Sequence, residues 1–135
     1  MINFAKKSNM QSDNTICAIS TPPGNGAIAV VRLSGNEAFS ILNKVFHPVK
    51  QQKDTELVPN SICLGTIREN GTVIDDVLVS VFKEPHSYTG EDTIEISCHG
   101  SAYIQQKILE LLIDSGARTA DPGEFTMRAF ENGKM

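Results

Sequence analysis

Ala27-Ile28-Ala29-Val30-Val31-Arg32-Leu33 is an almost unbroken apolar run interrupted by a single arginine. Its β-branched content and its length point to a strand, and the continuity of the run predicts one covered on both faces, hence central in a sheet. Ahead of it, Thr21-Pro22-Pro23-Gly24-Asn25-Gly26 stops regular structure and turns the chain, so the β-branched residues at 15–20 form an earlier strand. Behind it, Ser34-Gly35-Asn36-Glu37 fits a capping box. Ala38, Ile41, Leu42 and Val45 then recur at helical spacing, with Phe39 and Phe46, until Pro48 forbids continuation.

Further along, residues 49–60 read as loop. Residues 62–68 and 73–82 read as two strands around Asn70-Gly71, a dipeptide that tolerates the positive φ of a tight hairpin. After a loop over 83–92, Ile94, Ile96 and Cys98 alternate with Glu95, Ser97 and His99, which gives a strand with one apolar face. Ile104, Ile108, Leu111, Leu112 and Ser115 form one helical stripe, stopped by Gly116. A short strand over 117–120 and a third helix, opened by Asp121-Pro122-Gly123-Glu124 with the proline near its first position, complete the reading. The expected class is α/β of the α+β kind: a mixed, largely antiparallel sheet of about five to six strands packed with about three helices.

Composition narrows the functions. The chain carries 12 basic against 16 acidic residues, a net charge of −4. It lacks the cationic excess that neutralises nucleic-acid phosphates, so RNA contact would come through a partner or another part of a longer chain. No apolar run approaches the ~20 residues of a membrane span. The first 14 residues have Lys6 and Lys7 without an apolar core behind them, which reads as a flexible leader of a cytoplasmic protein. Cys17, Cys63 and Cys98 show no C-x-x-C pairing and are expected to be reduced core residues.

Chemistry-bearing residues are few. Gly24-x-Gly26-x-x-Ala29 meets the letter of a dinucleotide fingerprint, but a β-branched run follows where a helix N-terminus is needed. No P-loop sequence is present. Cys98 and His99 are strand neighbours and point to opposite faces, which disfavours a thiol dyad. His47, His86 and His99 lack metal-ligand spacing, and no metal site is expected. The pairs Asp75-Asp76 and Glu91-Asp92 read as solvated charge. Arg32, on a face shared with Ile28 and Val30, must find an anion or water. Glu95, mid-strand on a polar face, has the chemistry to accept two parallel hydrogen bonds from an amidine-like edge.

Five motifs occur in order: Thr15-Ile16-x-Ala18-x-Ser20-Thr21-Pro22-Pro23-Gly24-x-Gly26; Arg32-x-Ser34-Gly35; Tyr88-Thr89-Gly90-Glu91-Asp92; Cys98-His99-Gly100; and Pro122-Gly123-Glu124-Phe125-Thr126-x-Arg128-Ala129-Phe130. Together they resemble the N-terminal domain of the tRNA-modification GTPase family MnmE, also called TrmE, over residues 15–135. The resemblance implies a fold like the tetrahydrofolate-binding domain of aminomethyltransferases, with 5-formyl-tetrahydrofolate or a related one-carbon folate bound and the protein dimerised through this domain. Arg32, Glu95 and Lys134 match the family's folate contacts. A pterin edge offers an N–H beside an NH2, which Glu95 would accept, while Arg32 and Lys134 balance carboxylates or fix carbonyls.

The family's work with the flavoprotein MnmG on C5 of the wobble uridine of tRNA is likewise implied only for the whole protein. Residues 15–120 would then be the folate-binding and dimerisation domain and residues 121–135 the truncated start of a helical domain. GTP, Mg and K would belong to a GTPase domain outside this chain. The chain itself would bind without turnover and hold no catalytic residue. Two other readings remain open at this point: a dimerisation module without autonomous folate binding, and a folate-dependent aminomethyltransferase-like enzyme.

Overall fold

The computed structural model describes residues 14–49 and 57–134. The leader, apart from Asn14, and the middle of the 49–60 loop lie outside the described residues. Among the described residues, seven strands form one sheet: β1 (Ile16–Ile19), β2 (Ile28–Ser34), β3 (Phe46–Pro48), β4 (Ile62–Glu69), β5 (Thr72–Phe82), β6 (Thr93–His99) and β7 (Arg118–Thr119), in the order β3-β4-β5-β6-β2-β1-β7. Every pairing is antiparallel except the two-residue β1–β7 contact. Among the described residues the helices are α1 (Ala38–Asn43), α2 (Ala102–Asp114) and α3 (Glu124–Glu131). The α+β class and the mostly antiparallel sheet expected from the sequence are therefore present.

The core occupies one face of the sheet. Ala29, Val31 and Leu33 of β2, Val77, Val79 and Val81 of β5, and Ile94, Ile96 and Cys98 of β6 pack with Ile41 and Leu42 of α1 and Ile108, Leu111 and Leu112 of α2. β2 is interior, between β6 and β1, but it is not covered on both faces as its unbroken run suggested. Ile28 is 68% exposed, and Val30 and Arg32 are half-buried, because α1 and α2 join the cluster on the other side only.

The hairpin forms as its turn chemistry dictates, with Asn70 and Gly71 at φ 50° and 83° between β4 and β5. Three local expectations are corrected. The capping box does not form: α1 begins after Glu37 with no side-chain cap, because Ser34 is the buried last residue of β2 and its hydroxyl is engaged by Thr89 and Glu91. The first helix ends at Asn43, and Phe46–Pro48 becomes the edge strand β3 paired with β4. There the Phe46 ring lies over Gly65, where any Cβ would collide with it. Pro122 is not at the first helical position; α3 starts at Glu124 behind Gly123, which takes φ 74°.

Gly100 marks the tightest crossing. Gly26 N–H donates to the Gly100 carbonyl at 3.0 Å and Gly100 N–H to the Ala27 carbonyl at 3.2 Å, which locks the Pro-Gly loop onto the start of α2. A Cβ at Gly100 would overlap the Gly26 carbonyl, and backbone cannot yield as a side chain can. Gly100→Ala is accordingly expected to lower stability by about 2–3 kcal/mol, read as a reduced urea midpoint with an unchanged slope.

Candidate functional site

Even-numbered residues of β2 and odd-numbered residues of β6 share the face that α1 and α2 leave open, and the ladder sets Arg32 directly opposite Glu95. Arg32 Nε donates to Glu95 Oε2 at 3.0 Å and Nη2 lies 3.0 Å from the same oxygen. Both contacts reach one carboxylate oxygen, so Oε1 carries no hydrogen bond among the described residues. The side chains are 22% and 29% exposed, so the pair is screened, adds about 0–1 kcal/mol to stability, and remains open to a ligand. The Arg32 guanidinium carbon lies 5.1 Å from the centre of the Tyr88 ring and 5.2 Å from that of Phe125. The anion that Arg32 requires is thus Glu95 itself, with two aromatic rings around the cation.

Tyr88 belongs to the 83–92 loop and Phe125 to α3, and an alternating row of charges brings these elements together. Arg118 grips Glu124 with two bonds, at 3.0 and 2.7 Å. Glu124 meets Arg128 at 3.2 Å. Arg128 Nη1 reaches both oxygens of Glu91, at 3.1 and 3.2 Å, and Glu91 accepts from Ser34 Oγ at 2.9 Å. Ser34 Oγ and Thr89 Oγ1 are 2.7 Å apart, both fully buried. Burial pushes the Glu124 carboxyl up, but the Arg118 hydrogen bonds, the Asp121 amide and the charges of Arg118 and Arg128 outweigh it, so its pKa falls below the ordinary 4.5. Arg118 is raised chiefly by its hydrogen bond to Glu124.

The reading of Glu91-Asp92 and Asp75-Asp76 as solvated pairs is overturned for three of the four residues. Asp92 is buried and accepts from the Glu84 amide at 3.0 Å. Asp75 is buried and accepts from the His99 amide at 2.8 Å and from His99 Nδ1 at 2.6 Å. Its carboxylate supplies an acceptor where β6 runs past its last paired residue on β5. Only Asp76 stays exposed. His99 projects outward, 70% exposed, while Cys98 faces the core. Burial, and then the Asp75 charge, pushes the Cys98 thiol up to about 11, and burial alone takes Cys17 to about 11. Neither forms the thiolate that a nucleophile needs. Cys63 is free and only partly buried. Among the described residues, no group of three or more His, Cys, Asp or Glu could hold a metal ion, and no helix is long and apolar enough to cross a membrane.

Lys134 is exposed, and its side chain packs over Gly90 in the loop that carries Tyr88. The residues absent from the sequence reading of the site are Tyr88, Glu91, Phe125 and Arg128. One signal was there: Glu124 and Arg128 stand at i and i+4, the orientation that pairs charges along a helix. Nothing in the spacing pairs Arg128 with Glu91, 37 residues earlier.

The fold is an α+β domain with helices packed on one face of a mostly antiparallel sheet, an Arg–Glu pair on the other face, and α3 held beside that pair by buried charges. The chain belongs to the family described as GTP-binding protein TrmE N-terminus, whose model matches residues 15–134. Its relatives include proteins named tRNA modification GTPase MnmE from Flavobacterium johnsoniae, 58% identical over 126 residues and 93% of this chain, Parabacteroides distasonis, 54% identical over 90% of this chain, and Moorella thermoacetica, 50% identical over 91%. The chain spans about a quarter of the length of these curated relatives, 27% in each case.

Removing the Glu124 charge tests the clasp. Glu124→Gln is expected to cost about 2 kcal/mol at pH 7, allowing for the partial exposure of Arg118. Because the folded-state pKa is depressed, this contribution is complete above the unfolded value of 4.5 and is lost as pH falls through the lower folded value. Urea unfolding of wild type and variant should therefore show a constant gap from pH 7 to pH 6 that narrows below about pH 4.5.

Proposed function

We propose that this chain is the tetrahydrofolate-binding and dimerisation domain of a cytoplasmic tRNA-modification GTPase. Family membership and the relatives' names support the parent activity. The observation that carries the folate reading is the uncommitted Oε1 of Glu95, beside a cation held between aromatic rings on an open sheet face. A pteridine rim presents adjacent donors. Oε1 accepts one and Oε2, alongside its contacts to Arg32, shares in the other, while Arg32 holds the carboxylate in orientation. Lys134, at the rim, meets the acidic tail of the cofactor. These residues fit a folate, which when bound supplies the one-carbon unit; the chain's own part is to bind and orient it.

Dimerisation is favoured by the apolar character of the same open face. Ile28, Ile62, Leu64 and Leu78 are exposed there, and an uncovered apolar sheet surface of this kind marks an association site. GTP, with Mg and K, is assigned to another part of the whole protein. The flavoprotein MnmG and tRNA are partners of that assembly, consistent with a net charge of −4, which lacks the cationic excess that neutralises nucleic-acid phosphates.

Titration calorimetry with 5-formyl-tetrahydrofolate checks the site. The wild-type chain should bind, and Glu95→Gln should turn an acceptor into a donor facing a donor, costing about 2 kcal/mol or roughly thirtyfold in affinity. An unchanged affinity would remove Glu95 from the site. Binding by neither protein would leave a dimerisation module that does not take folate by itself.

A further inference from the structure

Arg128 is 2% exposed, and its place in the molecule is not explained by ligand contact. Its guanidinium stands between Glu124 of its own helix and Glu91 of the Tyr88-Thr89-Gly90-Glu91-Asp92 loop. Other contacts run along the same seam. Tyr88 Oη and Thr126 Oγ1 are 2.9 Å apart. Asn132 Nδ2 donates to the Thr89 carbonyl at 2.8 Å. Gly90 lies so close to the Asn132 and Lys134 side chains that a Cβ there would come within 2.8 Å of Asn132 Cβ. The loop and the region of α3 are thus docked along their lengths, and each contributes one ring to the Arg32 guanidinium.

The seam also reaches the sheet. Glu91 takes a hydrogen bond from Ser34, two residues beyond Arg32 on the same face of β2. The geometry points to Arg128 as the positioning residue of the folate site: it joins loop to helix so that Tyr88, Phe125 and Lys134 are set around Arg32 and Glu95 before the ligand arrives. This role rests on the folate reading. Pre-setting the wall spares the ligand the entropy of ordering two segments, so the benefit appears as affinity. An arginine suits the position because its planar fork serves two carboxylates approaching from different directions, which a point-charge lysine does less well.

The test compares two variants that interrupt the same charge row. Arg128→Met removes the link to Glu91, whereas Arg118→Met weakens the far end of the row and leaves Arg128 with both carboxylates. Binding of 5-formyl-tetrahydrofolate by calorimetry and the thermal unfolding midpoint are measured for both variants, for Arg128→Lys and for wild type. The expected result is a loss of about tenfold or more for Arg128→Met, an intermediate loss for Arg128→Lys, and less than about threefold for Arg118→Met, although both Met variants unfold at lower temperature. If Arg128→Met does not fold, Glu91→Gln interrupts the same contact from its more exposed side and should show the same loss. Wild-type-like affinity in the Arg128 or Glu91 variant, or affinity losses that follow the unfolding midpoints equally in all variants, would overturn the positioning role alone. Failure of the wild-type chain to bind would overturn the folate reading, and this role with it.

Discussion

The antiparallel register of β2 against β6 is the constraint on which the rest depends. It sets Leu33 opposite Ile94 and Val31 opposite Ile96 toward the helices, and with the same stroke Arg32 opposite Glu95 toward the open side. A slip of one residue would put the charged pair into the core and the isoleucines into water. The hydrophobic burial that stabilises the domain therefore also enforces the ion pair of the candidate site. A partly exposed, screened Arg–Glu pair contributes little to stability, so its position is inherited from the core.

The second layer of organisation is electrostatic. Arg118, Glu124, Arg128 and Glu91 alternate in sign from β7 to the 83–92 loop, so each buried charge has an opposite neighbour on either side or a hydroxyl to complete it. Such groups are costly to desolvate and repay that cost only when each is well paired. An apolar seam would close the helix at least as firmly. What charged pairs add is direction: their hydrogen bonds run between fixed atoms of the loop and of α3, the two segments that bring Tyr88 and Phe125 to Arg32.

Much of the fold was legible. The alternation in β6, the Asn70-Gly71 turn and the α2 stripe are local patterns whose period equals that of the structure they form, and all three appear as read. The misreadings share a cause. Ser34-x-x-Glu37 has the letters of a capping box, but the buried hydroxyls of Thr89 and Thr93 lie beside Ser34 and take its hydroxyl into a tertiary cluster. Phe46 has helical spacing, but a glycine on β4 makes room for its ring as a strand residue. The apolar run of β2 cannot tell whether one face or two are covered, since that depends on where helices from elsewhere in the chain settle.

For the site, the residues alone marked Arg32 as a cation in need of an anion and Glu95 as a carboxylate in need of donors. That they answer each other was not visible, because 63 residues separate them and only the ladder makes them neighbours. Local periodicity, turn chemistry and charge balance were thus decided by the sequence itself, since each depends on residues within a few positions. The pairing of Arg32 with Glu95, of Asp75 with His99 and of Arg128 with Glu91 was decided by the tertiary structure. Which charges meet, and how far water is kept from them, depends on contacts between segments distant along the chain.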